Sequence, residues 1–321
     1  MDPMTLPTIA DIRSAHERIK PFIHHTPVLT SHQLNGIFGC NLFFKCENLQ
    51  KVGAFKFRGA SNAVLSLSED EKRKGVVTHS SGNHAAALAL AARMNGIKAR
   101  IVMPETAPAV KKNAVAGYGA EITFCKPTLQ AREETTNMII RETGATLVHP
   151  YDNFNVICGQ GTAVLELIED QKDLEIIVAP VGGGGLMSGT STAAKGISST
   201  IKVIGAEPVN ANDAWKSFRT GILTPSVNPL TIADGLLTSL SELTFSVIRK
   251  NVDDIFTVSE DSIIECMLLV WERMKIIIEP SSATVLAAVK ENQDFFRGKK
   301  VGLIISGGNV DFRKLPFSQV S

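Results

Sequence analysis

Four consecutive glycines, Gly182 to Gly185, follow closely on the apolar run Glu175-Ile176-Ile177-Val178-Ala179 and lead into a helix-forming stretch from Leu186 to Gly196. A near-continuous apolar run suits a strand buried on both faces of a parallel sheet, because a strand with one wet face alternates. Strand, loop and helix in that order build open α/β sheets, which hold ligands at the loops. The order recurs. Val76-Val77-Thr78 runs through Ser80-Ser81-Gly82-Asn83-His84 into an Ala-rich helix from Ala85 to Met94, and Val301-Gly302-Leu303-Ile304-Ile305 runs into Ser306-Gly307-Gly308-Asn309.

The rest of the chain supplies more of the same alternation. Thr8 caps an opening helix with Asp11 at its third position. Val28-Leu29 and Asn41 to Lys45 read as short strands, and the segment around Lys56 lies near the start of a helix that continues from Ala60 to Leu67. From Gly75 the pattern is βαβα: a strand at Ala99 to Met103, a helix at Ala109 to Ala116, a strand at Glu121 to Phe124, a helix at Leu129 to Thr143 and a strand at Thr146 to Val148. Beyond it, Gly161 to Gln171 reads as helix, Ile201 to Ala206 and Asp254 to Val258 as strands, and Ser262 to Met274 and Ser282 to Asn292 as helices. These elements predict two doubly wound open-sheet α/β domains, a large one from residues 1–70 and 152–321 and a small mobile one from 71–151, with the active site in the cleft between them.

The length of 321 residues suits two domains, and 44% hydrophobic content supports real cores. With Lys+Arg 33 against Asp+Glu 32, there is no electrostatic case for nucleic acid or a membrane surface, which leaves a small molecule as the expected ligand. Five scattered cysteines without C-x-x-C spacing argue against a disulfide framework or a zinc site and fit reduced intracellular thiols. Residues 1–25 lack a basic segment followed by an apolar run, and no apolar stretch is long enough to span a bilayer, so cytoplasmic residence is expected.

Four kinds of chemistry are written in the motifs. Lys56, flanked by Phe55 and Phe57, is a candidate Schiff-base amine, since an apolar pocket lowers a lysine's pKa and frees the neutral form; the alternative is a solvated surface lysine. The backbone N–H groups of Gly182, Gly183, Gly184 and Gly185 can converge on a phosphate at a helix N-terminus, although a flexible loop or a nucleotide site reads the same way. Ser80 to His84 can hold a substrate carboxylate at the next helix start, or Ser80 or Ser81 can simply cap that helix. Glu207 and Asp213, with backbone carbonyls between them, suit a hard divalent cation; a solvated acidic loop is the plainer reading.

Taken together, Gly53-Ala54-Phe55-Lys56-Phe57-Arg58-Gly59 and the three loop motifs in this order resemble the fold-type II pyridoxal-phosphate enzymes, in the branch of the serine racemases and serine/threonine dehydratases, over nearly the whole chain. The resemblance implies that Lys56 carries pyridoxal 5'-phosphate, that Phe55 packs against its ring, that Asn83 meets its phenolic oxygen and that the Ser306 hydroxyl meets its pyridine nitrogen. It places Ser80, Ser81, Asn83 and His84, with Arg132 and Ser239, around the substrate, and puts Mg2+, Ca2+ or Mn2+ on Glu207, the Ala211 carbonyl and Asp213. A homodimer is implied as well. Lys111, Tyr118 and Asn309 match part of a nucleotide site of animal members, but Val52 and His32 stand where hydroxyl residues are expected, which argues against ATP activation. Tyr151 stands at a position that varies between animal and microbial members.

Ser81 carries the sharpest functional information. Dehydratases of the biosynthetic threonine type typically have alanine there, whereas the resemblance to racemases implies a serine hydroxyl opposite the lysine, two proton carriers that permit inversion, although some hydroxyaspartate dehydratases that resemble this chain also carry the serine. The implied activity is therefore interconversion of L- and D-serine, with β-elimination of serine to pyruvate and ammonia from the same site. The alternatives are a dehydratase for L-threonine, L-serine or 3-hydroxyaspartate and, outside enzymes, a nucleotide or metabolite binder.

Overall fold

The computed structural model describes residues 5–107 and 109–319. Ten strands are present among them: β1 (Val28–Leu29), β2 (Asn41–Cys46), β3 (Val76–His79), β4 (Ala99–Pro104), β5 (Glu121–Cys125), β6 (Thr146–Leu147), β7 (Ile176–Pro180), β8 (Lys202–Pro208), β9 (Asp254–Val258) and β10 (Lys300–Ile305). They form two sheets, a six-stranded one in the order β1-β2-β10-β7-β8-β9 and a four-stranded one in the order β5-β4-β3-β6. Every pairing is parallel except that of β1 with β2.

Alternate residues of the large sheet serve two cores. Val178, Ile204, Leu303 and Ile305 face helices Glu260–Met274 and Pro280–Glu291. Ile177, Ala179, Val203 and Ile255 face helices Ile9–Ile19, Phe154–Asp170 and Gly185–Ile197. Both faces being covered, β7 needs no polar alternation, which is why it reads as one apolar run. The small sheet is wound likewise, with Val76, Ile101 and Met103 toward helix Asn83–Met94 and Val77 and Val102 toward the Ile139 face of helix Leu129–Thr143. No helix among the described residues is long and apolar enough to cross a membrane.

The helix expected from Gly161 begins at Phe154, capped by the Asn153 side chain, which accepts from the Val156 N–H. Gly159 and Gly161, which weaken a helix by propensity, are there for packing. A Cβ on Gly159 would lie 2.6 Å from the Arg58 carbonyl, and one on Gly161 2.8 Å from the Gly189 carbonyl. The glycines let helices Lys56–Leu65 and Gly185–Ile197 approach the central helix closely.

Candidate active site

The three loop motifs lie at the C-terminal ends of β3, β7 and β10, and with Lys56 they line one cleft of about 610 Å³. Parallel strands put all their C-terminal ends on one side of a sheet, so the two sheets present their loops to a common space. Phe55, Ser80, Ser81, Asn83, His84, Arg132, Ser239 and Ser306 also line it, as do the four glycines. The acidic group at Glu207, Ala211 and Asp213 is not part of the lining.

Two of the helices that begin at this cleft have glycine at the N-cap position and no side-chain cap. Helix Asn83–Met94 has Gly82 at its N-cap position, so neither Ser80 nor Ser81 caps it in the ordinary way. Helix Gly185–Ile197 has Gly184 there, with φ +84. The N–H groups of Gly182, Gly183 and Gly184, and those of Ser81, Asn83 and His84, donate no hydrogen bond among the described residues. Uncompensated donors at a positive helix end attract anions. Tyr151 lies so close over the glycine loop that a Cβ on Gly183 would sit 2.3 Å from its Cδ1, so the loop's backbone can approach a ligand only because it has no side chains.

Lys56 begins its helix with its Nζ donating to the Pro150 carbonyl at 2.8 Å and lying 5.1 Å from the Phe55 ring centre. Burial pushes its amine down to about 8, against the opposing pull of the Glu279 carboxylate. A neutral amine is therefore available near physiological pH. Ser306 is buried, with its hydroxyl 3.0 Å from that of Ser282. His84 is buried too; its Nε2 faces the Val148 carbonyl at 3.0 Å, which fixes the proton there and leaves Nδ1 without a partner. Burial and the nearby Lys56 charge hold His84 down at about 3, so it is neutral. The Ser239 hydroxyl accepts from the Ser226 N–H at 2.8 Å, and Arg132 donates from Nε to the Thr128 carbonyl at 3.4 Å.

Several lining residues, His79, His149 and Glu279 among them, were not singled out in the sequence. His79 and His149 form an edge-to-face chain with Tyr151, with ring centres 5.5 and 4.6 Å apart. Glu279 is buried, and burial, with the Asp234 charge adding to it, pushes its carboxyl up to about 7. Its only sequence signal is the following Pro280 at the start of a helix, which marks Glu279 as an N-cap position and says nothing of the cleft.

The cation candidates occupy the end of β8 and the helix after it. Glu207 accepts the Ala214 and Trp215 N–H groups at 2.9 and 2.8 Å, at the start of helix Asp213–Thr220. The Asp213 carboxylate is buried and makes no ion pair among the described residues, with the Ser226 hydroxyl and the Leu240 backbone as its polar neighbours. Burial raises Glu207 to about 8 and Asp213 to about 6, which is the state of carboxylates lacking a counter-charge. No group of three or more His, Cys, Asp or Glu suited to a metal exists among the described residues, so a cation here would rely on two carboxylates, the Ala211 carbonyl and water.

The family model described as pyridoxal-phosphate dependent enzyme matches residues 19–307. The chain is 54% identical over 320 residues to a serine racemase of Dictyostelium discoideum, covering 98% of each chain. It is 48% identical over 315 residues to a beta-hydroxyaspartate dehydratase of Paracoccus denitrificans, covering 98% of this chain and all of the other. The crystal structure of the Dictyostelium discoideum serine racemase superimposes with a TM-score of 0.92 at 55% identity, over 95% of this chain and 99% of that one.

Proposed function

The chain belongs to the pyridoxal-phosphate-dependent enzyme family, and from that membership and the cleft we propose that it interconverts L- and D-serine and also eliminates water from serine, giving pyruvate and ammonia. The carrying observation is that Lys56, with an amine lowered to about 8, and the Ser81 hydroxyl line one cleft whose two glycine-started helix ends suit a phosphate and a carboxylate. When bound, pyridoxal phosphate supplies an electron sink that loosens the bonds at the substrate Cα.

In this reading Gly182 to Gly185, which line the cleft with Phe55, Asn83 and Ser306, would hold the phosphate, Phe55 would support the ring, Asn83 would donate to the phenolic oxygen and Ser306 would meet the pyridine nitrogen. The Ser306 hydroxyl, buried beside that of Ser282, would offer the ring a neutral partner rather than a carboxylate. Ser80, Ser81, Asn83 and His84 gather the substrate carboxylate at the helix start, with Arg132 and Ser239 nearby. Lys56 takes the Cα proton on one side and Ser81 returns one on the other. We take residues 71–151 as a small domain that closes over the substrate against a large domain of 1–70 and 152–321.

A divalent cation, with Mg2+ first, would sit on Glu207, the Ala211 carbonyl and Asp213, where two buried carboxylates have no ion pair among the described residues; its role is structural, apart from the chemistry. A homodimer in the cytoplasm is the expected assembly. ATP activation finds little support. Of the residues matched to a nucleotide site, Lys111 is paired with Asp234 at 2.7 Å and the Asn309 amide is used internally.

A second reading is favoured by the relatives that act as hydroxyaspartate dehydratases: dehydration of 3-hydroxyaspartate, L-threonine or L-serine with little racemisation. The deciding experiment is L-serine turnover by the holoenzyme with magnesium, measuring D-serine and pyruvate together, in the wild type and Ser81→Ala. Racemisation that falls about 10²- to 10⁴-fold in the variant while pyruvate persists supports Ser81 as the second proton carrier. Pyruvate without D-serine from the wild type makes the protein a dehydratase.

A further inference from the structure

Asn83 is held by a hydrogen-bonded chain that joins the Lys56 segment, the Ser80 to His84 loop and the β10 loop. Asn309 Nδ2 donates to the Val52 carbonyl at 2.8 Å and to Asn83 Oδ1 at 2.9 Å. Asn83 Nδ2 donates to both Glu279 carboxylate oxygens, at 3.1 and 3.2 Å, and the Asn309 backbone N–H donates to Glu279 Oε2 at 3.1 Å. A backbone carbonyl only accepts and a carboxylate here is met by three donor contacts, so the orientations of both amides follow from their ends. Asn309 must present nitrogen to Val52. Asn83 must then present oxygen to Asn309 and nitrogen to Glu279.

Each amide nitrogen has two N–H donors. Asn309 uses both, while Asn83 uses one, shared between the two Glu279 oxygens. The anchor of the chain is itself an unusual piece of backbone. Val52 has φ 58, a left-handed conformation that a β-branched residue rarely adopts, and Gly53 follows at φ +69. A Cβ on Gly53 would lie 2.8 Å from Asn309 Oδ1, so the side chain is packed against the turn that leads to Lys56.

We propose that Asn309 and Glu279 are positioning residues that lock the amide plane of Asn83, so that its one uncommitted N–H is presented to the cofactor's phenolic oxygen. The inference rests on the reading of Asn83 as a cofactor contact. It gives Asn309 an active-site task in place of nucleotide binding, and it explains why a carboxylate with no contact to Lys56's amine is buried at the cleft. Asn309→Asp is the informative change, because it keeps the shape and replaces the two-pronged donor by an acceptor facing two oxygens.

The test uses holoenzyme and two readouts, the visible absorption band of the bound cofactor and the kcat-against-KM split on L-serine, for Asn309→Asp, Asn83→Ala and the double variant. Asn309→Asp should shift the band and lower kcat roughly ten- to hundredfold, the worth of one hydrogen bond to a charged group, with KM changed less than about threefold. In the Asn83→Ala background the same substitution should lose most of its effect, because it acts through Asn83. Losses that multiply independently would overturn the proposal, as would an unchanged band and kcat in Asn309→Asp. Asn309→Ala, which removes the donor without adding charge, repeats the cycle if the aspartate variant does not fold. If Asn83→Ala itself leaves the band and kcat unchanged, the cofactor role of Asn83 fails and the positioning role falls with it.

Discussion

Replacing Arg58 by methionine should destabilise the protein by about 3 to 5 kcal/mol at neutral pH, because it strips the counter-charge from buried carboxylates. The guanidinium is fully buried and bidentate on two partners. Nε and Nη2 reach Glu47 at 2.7 and 2.9 Å, and Nη1 and Nη2 reach Glu166 at 2.7 Å each. After the change Glu166 keeps the Lys45 ammonium at 2.7 Å, but Glu47 keeps only the Thr26 hydroxyl. Glu47 therefore dominates the loss, and adding Glu47→Gln to the variant should recover at least half of it. Burial opposes ionisation of Glu166, yet its contacts with Arg58 and Lys45 hold the carboxyl below the ordinary 4.5. A depressed carboxylate stabilises above its unfolded value and stops doing so as pH falls through the folded one, so the gap between wild type and variant should close below about pH 4.5. Urea unfolding at unchanged m reads the difference. A loss under about 1 kcal/mol, or a double variant worse than the single, would refute the reasoning.

Two further outcomes follow from the titrations and the acidic site. Lys56 lies at about 8 when folded against 10.5 unfolded; the unfolded chain then holds more protons between those values, so stability of the cofactor-free protein should rise with pH from about 8 to about 10.5, and Lys56→Met should flatten that rise. Magnesium at millimolar concentration should raise the melting temperature of the wild type and not that of Asp213→Asn; equal shifts in both would move the cation elsewhere.

What could be read from the chain is local, and what could not is long-range. The glycine loop announces itself because strand, loop and helix are contiguous, and Lys56 does so through its aromatic flanks. Glu279 is invisible for the opposite reason: Asn83 and Lys56 reach it only once both sheets are built. Lys45, within the strand read at Asn41 to Lys45, is buried against Glu166, a pairing that only the packing of helix Phe154–Asp170 on β2 creates. The earlier start of that helix comes from its contacts with helices Lys56–Leu65 and Gly185–Ile197, which require the glycines that propensity counts against a helix. Ser80 and Ser81 had the right composition for a cap, but Gly82 occupies the cap position and keeps the helix start open to the cleft.

Arg132 offers a way to separate the substrate classes. Its guanidinium lines the cleft, makes no ion pair among the described residues and has one hydrogen bond, from Nε to a carbonyl. Guanidinium nitrogens left without acceptors favour a carboxylate taken through two parallel hydrogen bonds. In the proposed function the substrate's first carboxylate would take the open helix start at Asn83, whose free N–H groups are directed by the fold rather than by a flexible side chain. Arg132 is thus free for a second acidic group, which 3-hydroxyaspartate has and serine lacks. Arg132→Met should raise KM for 3-hydroxyaspartate roughly ten- to hundredfold, the range of a charge-assisted contact, and leave KM for L-serine within about threefold. Equal losses on both substrates would show that Arg132 helps hold the carboxylate common to them, and the helix start would then be insufficient on its own.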